Sequence, residues 1–101
     1  MTVIGRFKET YNNQEYPSIM DAVGKLDPSI KSTVVAHLKR GKTLSLAAGY
    51  ATDVISGELI NTPYACCSDG VYGWRSDVLY YVEHYDIALP EEFIQFVQNQ
   101  H

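Results

Sequence analysis

The segment from residue 69 to residue 97, DGVYGWRSDVLYYVEHYDIALPEEFIQFV, carries the clearest structural signals of this 101-residue chain. Asp69-Gly70 predicts a hairpin turn, because both residue types tolerate the positive φ that a two-residue turn needs. Ser76 and Pro90 are each typical of a helix start. The segment therefore predicts a hairpin followed by two helices, the first through Tyr85.

The preceding sequence adds a third helix. Asp27-Pro28 is a start signal, because Asp accepts hydrogen bonds from free backbone N–H groups and Pro loses none at the first helical position. Apolar residues recur every four positions from Ile30 to Leu38, and Arg40 and Gly41 suit the helix end. A short helix is also expected over residues 18–23.

Strands are expected on both sides of this helix. The opening TVIGRFKETY alternates loosely and predicts a hairpin over residues 2–16. Residues 42–47 predict a strand with Leu44 and Leu46 on one face and Thr43 and Ser45 on the other. In DVISGELI, residues 53–60, Ser56-Gly57 stands between β-forming pairs and predicts a second hairpin.

Together these elements predict one α+β domain spanning residues 1–101, with an antiparallel sheet built from hairpins and three to four helices packed against it. The length is that of a common single domain. The charged N-terminus is unlike a signal peptide, and no apolar stretch is long enough to span a bilayer. We therefore expect a cytoplasmic protein, in which the adjacent Cys66 and Cys67 are free thiols.

The net charge of −4 conceals a strong asymmetry. Residues 1–50 contain seven Lys and Arg against four Asp and Glu, whereas residues 51–101 contain one cation, Arg75, against eight anions. This distribution argues against a nucleic-acid partner, which favours clustered cations. It predicts either an acidic face that attracts a basic protein or simply a charged surface that maintains solubility.

Motifs for chemistry are largely missing. Arg40-Gly41-Lys42-Thr43 resembles the end of a phosphate-binding loop, but the earlier glycine of that motif falls at Ala36 and a helix precedes a strand instead of following it. The histidines and cysteines have no metal-ligand spacing. Nothing in the sequence places a histidine beside Cys66 or Cys67, and the pairs Asp53/Glu58 and Glu83/Asp86 are typical of a solvated face. We predict no enzyme activity, cofactor or metal.

Aromatic residues and acids coincide in the C-terminal segment. Tyr and Trp anchor protein interfaces and acids steer a basic partner. At least two of Trp74, Tyr81 and Tyr85 are expected in the core, and Asp77, Tyr80, Glu83 and His84 are expected mainly on the other side of their helix. The predicted partner-binding residues are Asp69, Tyr72, Asp77, Tyr80, Glu83 and His84.

The run DGVYGWRSDVLYYVEHYDIALPEEF, residues 69–93, resembles a pattern near the C-terminus of small, acidic, single-domain bacterial proteins. Some of these resemble immunity proteins of contact-dependent and other polymorphic toxin systems. The resemblance implies a protein that binds and neutralises a toxin domain, for which a basic nuclease is the expected partner. It implies no nucleic acid, membrane or small-molecule substrate as a partner.

The alternative is a small enzyme or metabolite-binding protein with a pocket between sheet and helices. A deep polar pocket that holds Cys66 or Cys67 beside His37 or His84 would favour this alternative. A shallow acidic surface would favour the inhibitor.

Overall fold

Four strands form one mixed sheet in the computed structural model, which describes residues 1–100. They are β1 (Thr2–Val3), β2 (Lys42–Thr52), β3 (Leu59–Ser68) and β4 (Tyr72–Arg75). Their order in the sheet is β1-β4-β3-β2, with β2 and β1 at the two edges. The pairs β2–β3 and β3–β4 are antiparallel, whereas β1 is parallel to β4.

Four helices accompany the sheet and confirm the α+β class. They are α1 (Lys8–Tyr11), α2 (Pro28–Lys39), α3 (Asp77–Tyr85) and α4 (Glu91–Asn99), with a 3₁₀ turn at Ile19–Asp21 between α1 and α2. The Cα radius of gyration is 12.8 Å, close to the roughly 13 Å of a compact domain of this length. No helix within residues 1–100 has both the length and the apolar character to span a membrane.

The starts of α2, α3 and α4 were predicted correctly, but they are not all capped in the same way. Asp27 accepts a hydrogen bond from the Ser29 backbone N–H and caps α2 as expected. Ser76 makes no cap hydrogen bond to α3. Its hydroxyl instead donates to the Pro63 carbonyl and accepts from the Ala65 N–H, so Ser76 joins β3 to the start of α3.

The predicted N-terminal hairpin is wrong. Only Thr2 and Val3 form a strand in this region, and they pair with β4 rather than with the following residues. The chain then turns into α1, where the Glu9 carboxylate accepts hydrogen bonds from the Ser18 hydroxyl and the Ile19 N–H. These contacts connect α1 to the 3₁₀ turn. The sheet is consequently mixed instead of purely antiparallel.

The two later hairpins are confirmed, with a correction to the face that β2 presents. Thr43 pairs with Cys67 and Ser45 with Cys66, which are adjacent residues of β3. Adjacent strand residues point to opposite faces, so Thr43 and Ser45 do not share a face as predicted. A β-bulge at Leu44 produces this shift. Val54 and Ile55, predicted as strand, lie in the β2–β3 turn.

The core lies between the helices and part of the sheet. Its largest buried members include Trp74, Tyr81 and Phe93, which confirms that at least two of the three candidate aromatics are core. All residues from 42 to 50 of β2 are exposed. Within this stretch, β2 contacts the sheet through its backbone pairing with β3. The β2–β3 hairpin therefore extends beyond the surface that the helices cover.

Two glycines with the same backbone conformation differ in their surroundings and provide a test of this packing. Gly5 has φ +75° and Gly24 has φ +72°. A Cβ at Gly5 would lie 2.6 Å from Cγ2 of Val78, whereas a Cβ at Gly24 would meet nothing within 4 Å. We expect Gly24→Ala to lower the free energy of unfolding by about 1 kcal/mol through backbone strain alone. Gly5→Ala should cost a further ~1–3 kcal/mol through overlap with Val78. Urea unfolding of both variants measures the difference, and equal losses would contradict the packing of Gly5, which follows β1, against Val78 of α3.

Candidate protein-binding surface

Asp69 is part of the β3–β4 turn rather than a free surface acid. Its Oδ1 accepts hydrogen bonds from the backbone N–H groups of Val71 and Tyr72, and its Oδ2 lies 2.7 Å from Nε2 of His37. The side chain is only 10% exposed. Burial opposes its charge, but the hydrogen bonds from Tyr72 and His37 prevail and lower its pKa. Asp69 thus stabilises the turn and connects it to α2.

Asp77 is also engaged inside the protein, and its predicted outward position is wrong. It is 2% exposed, and its Oδ2 accepts a hydrogen bond of 2.6 Å from the Arg75 guanidinium. Arg75 lies against the rings of Tyr11 and Tyr64 and donates to the Thr10 carbonyl. Although burial favours the neutral form, Asp77 raises the pKa of Arg75. The pair joins the end of β4 to α1 and α3, and a partner cannot reach Asp77 directly.

The other four predicted residues differ in how far they reach the surface. Tyr72 is half-buried, with its ring 5.1 Å from that of Phe93 and 5.2 Å from that of Phe96. Tyr80, also half-buried, stacks on the exposed ring of His84 at a centroid distance of 4.2 Å. Glu83 is exposed. The outward part of the predicted site therefore consists of Tyr80, Glu83 and His84.

Ion pairs between the two halves of the chain neutralise much of the charge asymmetry. Basic residues of α2 face acids from the second half in three pairs. The nitrogen–oxygen distances are 2.5 Å for Lys31–Asp86, 2.7 Å for His37–Asp69 and 3.8 Å for Lys39–Glu83. The His37–Asp69 contact is an ion pair only when His37 is protonated. Among residues 1–100, the acids of the second half outside any ion pair or buried hydrogen-bond cluster are Glu58, Glu91 and Glu92, all exposed. The surface around α3 is consequently less acidic than the sequence suggests.

Asp53 holds the turn between β2 and β3 against α3. The residue is fully buried. Its Oδ1 accepts from the Ile55 and Ser56 N–H groups at 2.8 and 3.0 Å, and its Oδ2 accepts from the Tyr80 and Tyr85 hydroxyls, both at 2.7 Å. Burial opposes the charge, but these four donors together lower the pKa of Asp53 far below its ordinary value. The interpretation of Asp53 as a solvated acid paired with Glu58 is wrong.

Tyr81 completes the attachment of the turn. Its hydroxyl donates to the Thr52 carbonyl at 3.1 Å and accepts from the Val54 N–H at 3.0 Å. Burial raises the pKa of Tyr81 to about 12, so the hydroxyl keeps its proton at neutral pH. Three tyrosines of α3 therefore bind one turn through their hydroxyl groups.

Exposed apolar side chains concentrate on the hairpin that this turn closes. Of the eight large apolar side chains exposed within residues 1–100, five lie between Leu44 and Leu59. Leu46 is 72% exposed and Leu59 is 73% exposed. Leu46 and Tyr50 share a face, because they pair with Ala65 and Pro63, two residues apart on β3. We call Leu44, Leu46, Tyr50 and Leu59 the hairpin surface.

Two cavities bear on the enzyme alternative. One of about 440 Å³ is lined by polar residues that include His37, Lys42, Ser68 and Asp69. The Ser68 hydroxyl in it donates to the Tyr72 carbonyl at 2.8 Å and accepts from the Gly70 N–H. Neither cysteine lines this cavity; Cys66 lies at a separate one of about 250 Å³.

The reactive groups considered in the sequence are therefore not brought together. Burial raises the pKa of the Cys67 thiol, which disfavours the thiolate that a nucleophile needs. Within residues 1–100, no group of three or more His, Cys, Asp and Glu side chains is placed to hold a metal ion. No protein-family model, curated protein or solved structure matches this chain.

The four hydrogen bonds to Asp53 predict how its substitution changes the stability of the protein. We expect Asp53→Asn to lower the free energy of unfolding by about 2–3 kcal/mol near pH 7, because a neutral amide replaces a buried carboxylate among four donors. The folded-state pKa lies below the ordinary value of 3.8. The carboxylate's contribution is thus complete above pH 3.8 and is lost as the pH falls further. The difference between wild type and variant should therefore shrink in strongly acidic solution.

Glu58→Gln is the matched control, because it neutralises an exposed carboxylate of the same turn. Its effect should stay below about 0.5 kcal/mol. Denaturant unfolding near pH 7 and near pH 3 measures both variants. Equal losses at the two pH values for Asp53→Asn would contradict the role assigned to the charge.

Proposed function

We propose that this protein is an immunity-type inhibitor that binds and neutralises a bacterial toxin domain, with a basic nuclease as the expected partner. The observation that carries the proposal is the hairpin surface. Apolar side chains grouped on a surface outside the core are typical of a protein contact site. The resemblance of residues 69–93 to immunity proteins supplies the class of partner.

The hairpin surface supports a contact that differs from the acidic one expected from the sequence. Asp69 and Asp77 are held by internal partners, so they position the fold and do not touch the toxin. Leu46, Tyr50 and Leu59 provide the apolar anchors. A few such anchors hold a complex together by slowing its dissociation.

Charge acts on this complex mainly at long range. The net charge of −4 favours the approach of a basic domain. Exposed Glu58 lies beside Leu59, and the exposed pair Glu83 and His84 lies on α3, whose Tyr80 contacts the same turn. Glu58 thus places a polar group beside the apolar anchors, as is usual at a protein interface, whereas Glu83 faces Lys39 of α2.

The proposed inhibitor acts in the cytoplasm, where Cys66 and Cys67 remain reduced. It makes and breaks no covalent bond, and it uses no cofactor or metal. The alternative of an enzyme or metabolite-binding protein draws on the cavity beside His37 and Lys42. The hairpin surface favours the inhibitor, because a catalytic site in that cavity, which Leu44 lines, would leave Leu46, Tyr50 and Leu59 without a role.

Co-expression with the toxin-like product of an adjacent gene in the source bacterium tests the function. We expect the wild-type chain to restore growth and to co-purify with the toxin in a fixed stoichiometry. Tyr50→Ser and Leu59→Ser should each raise the dissociation constant about 10- to 30-fold, because each removes a central apolar anchor. Isothermal titration calorimetry measures these constants.

Met20→Ser is the control, since Met20 is similarly exposed but lies in the 3₁₀ turn between α1 and α2. Its dissociation constant should remain within about twofold of the wild-type value. Unchanged affinity in the two hairpin variants would show that the contact lies on another surface. A chain that neutralises no toxin would overturn the proposed function.

A further inference from the structure

We infer that the polar cavity of about 440 Å³ between α2, β2 and the β3–β4 turn binds a small phosphate monoester. Its volume lies within the range of roughly 300–1,000 Å³ that is usual for ligand pockets. Arg40, at the end of α2, and Lys42, at the start of β2, are exposed and line this cavity. Two neighbouring cations match the two negative charges of a phosphate monoester better than the single charge of a carboxylate.

Asp69 also lines the cavity, but it does not cancel these cations. Its side chain is only 10% exposed. Its oxygens accept hydrogen bonds from two backbone N–H groups of the β3–β4 turn and contact Nε2 of His37. Within residues 1–100, Lys42 forms no ion pair with any acid. The charge that faces the open space of the cavity is therefore positive.

The C-terminal ends of α2 and α4 reach the same cavity, and their negative poles oppose the binding of an anion. Each pole carries at most about half a charge. The Arg40 N–H donates to two of the last carbonyls of α2, and the Gln100 N–H donates to two of the last carbonyls of α4. These bonds satisfy part of each pole. The full charges of Arg40 and Lys42 consequently determine the sign of the ligand.

Gly41 fixes the backbone between the two cations. A Cβ at this position would overlap Cζ2 of Trp74, so the chain passes directly against that buried ring. Lys42 is then paired with Ser68 of β3. Both basic side chains thus extend from a backbone with one defined position, which lowers the ordering cost of binding. Leu44 lines the same cavity and offers an apolar contact to the organic part of the monoester.

This site goes beyond the proposed function and does not depend on it. Leu44 belongs to both the cavity and the hairpin surface, whereas Leu46, Tyr50 and Leu59 do not line the cavity. The test below uses the protein without any toxin. Failure to bind a phosphate monoester would leave the inhibitor proposal intact, and failure to neutralise a toxin would leave the phosphate site intact.

Titration of the full chain with phenyl phosphate tests the site, followed by ¹H–¹⁵N NMR at constant ionic strength and about pH 7.5, where a monoester carries almost two charges. We expect the amide signals of Lys42 and Gly70, which both line the cavity, to shift with a dissociation constant of about 1–10 mM. Benzoate offers the same ring with one charge and should bind at least about 5-fold more weakly. Lys42→Gln should raise the dissociation constant for phenyl phosphate about 3- to 10-fold, because it removes one of the two cations.

Lys25→Gln is the matched control, because it removes the same charge at an exposed position that does not line the cavity. Its dissociation constant should stay within about 1.5-fold of the wild-type value, since salt screens distant surface charges. Circular dichroism confirms that each variant is folded. Equal affinities for phenyl phosphate and benzoate, or equal effects of the two lysine variants, overturn the inference. The absence of saturable shifts up to about 50 mM phenyl phosphate overturns it as well.

Discussion

The carboxylate of Asp53 is the contact on which the position of the β2–β3 hairpin depends. Residues 42–50 are exposed and contribute nothing to the core, so the hairpin is held at its two ends. At the far end, Asp53 receives two backbone N–H groups of the turn and two tyrosine hydroxyls of α3. A buried charge with four donors fixes the turn in one place, because any displacement would leave the charge without partners. The hairpin surface is thereby presented in a defined direction.

Two further acids hold the β3–β4 hairpin in place in a similar way. Asp69 closes its turn and contacts His37 on α2, while Asp77 follows its last strand and holds Arg75. Both acids are buried with their partners, where removal of one member would leave an unpaired charge. Several acids of the segment that looks most acidic in the sequence are thus engaged in contacts within the fold. The exposed acids of the second half that form no ion pair are Glu58 at the hairpin tip and Glu91 and Glu92 on α4.

Local signals in the sequence were sufficient for much of the fold. Asp69-Gly70 and Asp27-Pro28 act through φ preference and capping, which involve neighbouring residues only. The parallel pairing of β1 with β4 joins residues about seventy positions apart and has no local signature. Asp53 was missed for the same reason, because its tyrosine partners lie 27 and 32 residues away. Alternation at Leu44 and Leu46 indicated a strand, but it carries no information on whether another element covers that strand.

An exposed apolar hairpin favours aggregation unless a partner covers it. The edge of β2 offers backbone groups, which accept any strand of suitable direction and depend little on side-chain identity. The faces offer Leu46 and Tyr50, which select a partner by shape. Because the edge and the faces are oriented differently, a contact on the face would leave the backbone groups of the edge free. Attachment of the turn through Asp53 keeps the hairpin in one position while it lies outside the core, which lowers the ordering cost of any contact on its face.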